Sequence, residues 1–149
     1  MKTPASLKGH PLHPILVTFP IALWIFSLAS DIIALAGLGR TEVWEPIAFY
    51  TMAGGIAGAL LAPLPGLVDL LSTQDPRVKR IGVVHMCINV LVVCIFGTDW
   101  GMRFAHATGP VGPFILSIIG VALMCVGGWL GANLVHRFGV TIEGYPAPA

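Results

Sequence analysis

This chain has few charges. Of its 149 residues only 10% are Asp, Glu, Lys or Arg, eight basic and seven acidic, where a soluble domain carries about 25%. The apolar fraction is 56%. So few charges do not cover that much apolar surface in water, which argues against a soluble monomer, and a disordered chain would be polar and charged. No basic or acidic run occurs and the formal net charge is +1, so nothing recommends nucleic acid as a partner. There is no C-x-x-C. Cys87, Cys94 and Cys125 sit inside apolar runs and read as small apolar filler. The chain also lacks a G-x-S-x-G, a phosphate loop and a dinucleotide fingerprint, so hydrolase and nucleotide-dependent chemistry have no support.

What is present is a set of four apolar stretches, spanning about 14–38, 46–71, 81–97 and 111–135. Each supplies the roughly 17–25 residues that a transmembrane helix needs, and backbone polar groups in lipid must be satisfied within the segment. The expected architecture is all-α: a four-helix transmembrane bundle forming a single integral membrane domain over 1–149. The first run is longer than the roughly 7–15 residues of a signal-peptide core, so it is expected to be a retained helix.

Four spans place both termini on one side, here side A, with the loop around Ser72–Arg80. Side A carries Lys2, Lys8, Arg77, Lys79, Arg80 and Arg137, while side B carries only Arg40 and Arg103. The positive-inside rule makes side A cytoplasmic, which predicts a multi-pass membrane protein with both termini in the cytoplasm. Trp44, Trp100 and Trp129 fall near span ends, where indoles favour the interface, and Trp24 falls mid-span, where it packs on another helix.

Prolines interrupt the spans. Pro20 lies in the first, and Pro63, Pro65 and Gly66 lie in the second. Each proline removes a donor and frees the carbonyl one turn earlier, on Leu16, Ala59 and Leu61. The second helix is therefore expected to stop or bend near side A, either lining a site or as a simple kink. The Gly54/Gly58 and Gly127/Gly131 pairs have the spacing that lets helix backbones approach, within the chain or in a homo-oligomer; packing within the chain is the preferred reading.

The histidines gather on this topology. His10 and His13 begin the first span, His85 lies about a turn into the third, and His136 ends the fourth, all on side A; His106 alone is on side B, in a loop where it is expected to be solvated. Asp69 joins them near the side-A end of the second span. His85 and Asn89 are i, i+4 and share a helix face, as do Trp129, Asn133 and His136. Polar groups at membrane depth turn inward, so the expected layer is His13, Asp69, His85, Asn89, Asn133 and His136. In the stiff lead-in His10-Pro11-Leu12-His13-Pro14, Pro14 suits a first helical turn.

Three readings of this layer are open. One is a haem b held by two imidazoles from different helices, with His13 and His85 as the first pair and His10 and His136 as substitutes. Another is a Zn or Cu site using three or four of these imidazoles, His13 and His85 among them, with Asp69 as ligand or supporting partner. The third is a structural layer with no cofactor. At about 1.5 Å per residue, Asp31 falls roughly 25 Å along the first helix, near side B. There it is expected to pair with Arg40 or Arg103; a proton path back to side A would have only Ser27, Ser30 and Thr51.

These residues resemble a known family. Gly9-His10-Pro11-Leu12-His13-Pro14 followed by Phe19-Pro20-Ile21-Ala22-Leu23 is similar to the opening of small bacterial membrane proteins of the domain-of-unknown-function 2231 family. Asp31, Pro65-Gly66-Leu67-Val68-Asp69, His85 with Asn89, and Gly128-Trp129-Leu130-Gly131-Ala132-Asn133-Leu134 running into Arg137-Phe138-Gly139-Val140 continue the likeness over nearly the whole chain. At Ala132-Asn133 the family is associated with a Gly-Glu-like pair, and the missing charge disfavours a carboxylate-rich metal site. The resemblance implies a bacterial inner membrane, and the family label carries no activity. Fusion of related domains to c-type cytochrome modules implies redox and haem chemistry by analogy, with His13, Asp69, His85 and Asn89 as the motif positions. The leading expectation is a small b-type cytochrome-like electron carrier, rather than a catalyst, that exchanges electrons with a redox partner or a quinone. Asp69 or Asn89 would then bond a ligand's second ring nitrogen or a haem propionate.

Overall fold

The computed structural model describes residues 4–8, 10–107 and 109–138. Lys2, Gly9, Gly139, Val140 and the C-terminal tail, which entered the orientation and motif readings, lie outside the described residues. The chain opens with a two-residue hairpin that the all-α expectation did not include. Strands β1 (Ser6–Leu7) and β2 (His10–Pro11) pair antiparallel, Ser6 with Pro11 and Leu7 with His10. Helices α1 (Leu12–Leu16), α2 (Thr18–Leu35), α3 (Thr41–Leu61), α4 (Pro63–Ser72), α5 (Pro76–Phe104) and α6 (Val111–His136) follow.

Combined across their breaks, these make four segments long and apolar enough to cross a membrane: Leu12–Leu35, Thr41–Ser72, Pro76–Phe104 and Val111–His136. The largest correction to the expected spans is the third, which begins before and ends after 81–97. Asp75 caps its start by accepting the Arg77 N–H at 2.8 Å, with Pro76 at the first helical position. At its far end Arg103 Nε donates to Asp99 Oδ1 one turn away at 2.7 Å, so residues that read as loop are helix.

The spans are interrupted ahead of the prolines without unwinding. α1 meets α2 at Val17 and α3 meets α4 at Ala62, and both joints keep right-handed helical angles (φ −66°, ψ −17° and φ −59°, ψ −33°). α2 then ends in a motif that needs a left-handed residue. The Gly37 N–H bonds the Ala34 carbonyl, the Leu38 N–H bonds the Ile33 carbonyl, and Gly37 has φ 66°. α5 ends the same way with a histidine in the glycine's place. The His106 N–H bonds the Arg103 carbonyl, the Ala107 N–H bonds the Met102 carbonyl, and His106 takes φ 48°.

One aromatic pair locks the bundle. Trp24 of α2 stacks on Phe96 of α5 with centroids 4.2 Å apart and planes at 11°. A Cβ on Gly55 of α3 would lie 2.5 Å from the Trp24 ring, and one on Gly120 of α6 would lie 2.8 Å from the Phe96 ring. Two glycines thus make room for two rings, and all four long helices meet at one level. The Trp24 indole N–H donates to the Met52 carbonyl at 3.3 Å, and Met52, Ala59, Val92 and Met124 complete the core.

The glycine pairs pack within the chain: Gly54 faces Leu23, Gly58 faces Pro20, Gly127 faces Asn89 and Gly131 faces His85. The outer surface is apolar, with Phe19, Tyr50, Leu60, Val90 and Trp129 exposed, as the surface of a lipid-embedded bundle must be. The three cysteines are exposed as well. They face outward rather than filling the core, because the core space is taken by the stacked rings.

Candidate functional site

The lead-in hairpin delivers His13 to the first turn of α1. The Leu12 N–H bonds the Ala5 carbonyl at 3.0 Å, and the Ala5 N–H donates to Asp69 Oδ1 of α4 at 3.1 Å. Asp69 is therefore spent on the N-terminal segment, not on a histidine ring. His13 reaches across to the α3–α4 joint, where its Nδ1 bonds the Ala62 carbonyl oxygen at 2.7 Å. It passes so close to α4 that a Cβ on Gly66 would lie 2.8 Å from Nδ1. The glycine of Pro63-Leu64-Pro65-Gly66 is there for that approach.

His85, on α5, makes the matching contact with α6. Its Nδ1 bonds the Gly127 carbonyl oxygen at 2.9 Å, and a Cβ on Gly131 would sit 3.1 Å from its Cε1. Asn89, one turn on, donates from Nδ2 to the His85 backbone carbonyl at 2.8 Å. The same nitrogen stands 3.3 and 3.4 Å from the two ring nitrogens, over the imidazole face.

The two imidazoles meet. Their centroids are 6.2 Å apart and their planes stand at 89°. A carbonyl oxygen only accepts, so each Nδ1 carries the hydrogen and each neutral ring keeps its lone pair on Nε2. This tautomer, with Nδ1–H tied to backbone, is the one in which a histidine ligates metal through Nε2.

His10 lies exposed in β2, and His136 is exposed as the last residue of α6. Asn133 is half-buried on α6, and no hydrogen bond joins its side chain to either histidine among the described residues. Among the described residues no three His, Cys, Asp or Glu side chains are grouped to hold a metal ion.

A second polar cluster lies at the other end of the bundle. Its nearer member on α5, Asp99, is about 21 Å from His85, at 1.5 Å per residue over 14 residues. Asp31 of α2 pairs with Arg103 as one of the two expectations had it, while Arg40 lies exposed beside Glu42 at 3.5 Å. Asp99 lies beyond the span expected over 81–97. It is fully buried, with its Oδ1 accepting from Arg103 Nε at 2.7 Å and its Oδ2 bonded to the Ser117 hydroxyl at 2.7 Å. The i, i+4 spacing of Asp99 and Arg103 was the signal that could have found it. Ser27, Ser30 and Thr51 form no path toward the histidines; each hydroxyl bonds a backbone carbonyl.

A family model described as predicted membrane protein (DUF2231) matches residues 9–144. The chain therefore belongs to this family of predicted membrane proteins. No curated protein and no solved structure matches it.

Proposed function

We propose that the chain is a small membrane electron carrier of the b-type cytochrome kind, with His13 and His85 as the two axial ligands of one haem. One observation supports this above the others. Two imidazoles from different helices meet edge to face, centroids 6.2 Å apart, each with Nδ1 tied to a backbone carbonyl and Nε2 as the atom that would ligate. That donor set suits iron in a macrocycle, which leaves at most two positions for protein ligands. Zinc takes three or four, and the described residues group no third. When bound, the haem would supply one-electron chemistry at a potential set by its ligands and their hydrogen bonds.

The chain's own residues hold the two rings. Ala62 and Gly127 fix the tautomers, Asn89 restrains the His85 ring, and Asp69 anchors the hairpin that carries His13. Electrons would pass to a redox partner or a quinone. Lys8, Arg77, Lys79, Arg80 and Arg137 flank the histidine end, while Arg103 at the other end is already neutralised, so the histidine end and both termini face the cytoplasm of a bacterial inner membrane.

The test is a visible spectrum of the detergent-purified protein from haem-replete cells, oxidised and dithionite-reduced. The expected result is a haem b spectrum that is lost in His13→Ala and His85→Ala and kept in His10→Ala and His136→Ala. A colourless protein that gains nothing on haem addition overturns the reading. Stoichiometric Zn or Cu in that colourless protein would replace it with a metal-binding function at the same pair. Absence of both would leave the pair a structural tie between helices.

A further inference from the structure

The cluster at the arginine end does not balance its charges. Asp31 and Asp99 bring two carboxylates and Arg103 one guanidinium. The side chains are 8%, 0% and 16% exposed. Every bond in the cluster runs between α2, α5 and α6. Among the described residues α3 contributes no titratable group to it, and the nearest loop cation, Arg40, is exposed and occupied by Glu42. A net negative charge left at this depth in an apolar bundle is costly, and two carboxylates beside one cation relieve it by keeping one proton.

The hydrogen count points the same way and shows where that proton goes. The Ser117 hydroxyl has one hydrogen, yet its oxygen lies 2.7 Å from Asp99 Oδ2 and, more loosely, 3.4 Å from Asp31 Oδ2, while Arg103 Nη2 approaches it at 3.3 Å. A serine cannot donate to two ionised carboxylates at once. Asp31 is the member held by both guanidinium nitrogens, at 2.6 and 2.8 Å, the geometry suited to a charged carboxylate. Asp99 receives one Arg103 bond through Oδ1 and meets the serine through Oδ2.

We propose that this cluster is a proton-binding site, with one exchangeable proton on Asp99 Oδ2. In the loaded state Asp99 Oδ2–H donates to Ser117 Oγ, and the Ser117 hydroxyl turns its own hydrogen to Asp31 Oδ2. Arg103 stays paired with ionised Asp31. Release of the proton leaves Asp99 ionised, with the serine hydrogen turned to it. The site is independent of the histidine pair and of any haem there.

The experiment is infrared spectroscopy and thermal unfolding of the full chain in detergent. The wild type should show the carbonyl stretch of a protonated carboxylic acid, absent in Asp99→Asn. That substitution mimics the neutral acid, so it should melt with the wild type. Asp31→Asn should melt lower, having lost the fork with Arg103. It should also lose the acid band, because Asp99 then ionises opposite the arginine. The proposal is overturned if the wild type has no acid band, if the band survives in Asp99→Asn, or if Asp99→Asn is destabilised as much as Asp31→Asn. A missing band together with stabilisation by sodium ions, but not by choline, would also overturn it, assigning the site to a metal cation.

Discussion

Arg103 on α5 holds Asp31 on α2 in a two-pronged ion pair, Nη1 to Oδ1 at 2.6 Å and Nη2 to Oδ2 at 2.8 Å. The residues are 72 positions apart in sequence, and the pair ties the first spanning segment to the third. Removing one member of a buried pair leaves the other charge uncompensated, which costs about 3–5 kcal/mol. Arg103→Met is expected to lose stability on that scale, measured by thermal or denaturant unfolding in detergent. A change below about 1 kcal/mol would mean that the pair is solvated like a surface bridge.

The left-handed cap at His106 yields a prediction of the opposite sign. A non-glycine residue in that conformation costs about 1–2 kcal/mol, and glycine does the same work at Gly37. His106→Gly is expected to raise stability by about 1 kcal/mol, less the backbone entropy that glycine adds to the unfolded chain. An unchanged or lower melting temperature would show that the imidazole makes up the cost elsewhere.

At Gly55 there is no room for a methyl group, since a Cβ would lie 2.5 Å from Trp24 Cδ1 and Nε1. Gly55→Ala should displace the Trp24–Phe96 stack, change the tryptophan emission and cost about 1–3 kcal/mol. Gly128→Ala is the control. A Cβ there meets nothing within 4 Å, so stability should hold or rise by up to about 1 kcal/mol through helix propensity.

Asn89 tests the proposed haem reading without altering either histidine. Groups that orient a ligating histidine typically contribute 10–100-fold to affinity, so on that reading Asn89→Ala should weaken haem binding by about that factor, read by haem titration of the purified protein. Unchanged affinity would confine Asn89 to packing against Gly127.

Much of the fold was legible in the sequence because a bilayer imposes simple rules. Apolar runs of sufficient length must be helices, and prolines inside them remove backbone hydrogen bonds, which is where the helices are interrupted at Val17 and Ala62. Trp24 mid-span was legible as a packing residue for the same reason. Asp99 was not, because a charge at the end of an apolar run reads as loop until its neutralising partner is known.

The histidine site divides along the same line. By itself the sequence determined that His13, His85, Asp69 and Asn89 lie at one end of the bundle, because span order and helical period fix depth and face. It did not determine which of them meet. Tertiary structure chose His13 and His85, gave Asp69 to the Ala5 N–H, and left His10 and His136 at the surface. It also supplied the partners no side-chain pattern encodes, the carbonyls of Ala62 and Gly127. Every residue carries a carbonyl, so only the close approach of two helices, allowed by Gly66 and Gly131, decides which one an imidazole finds.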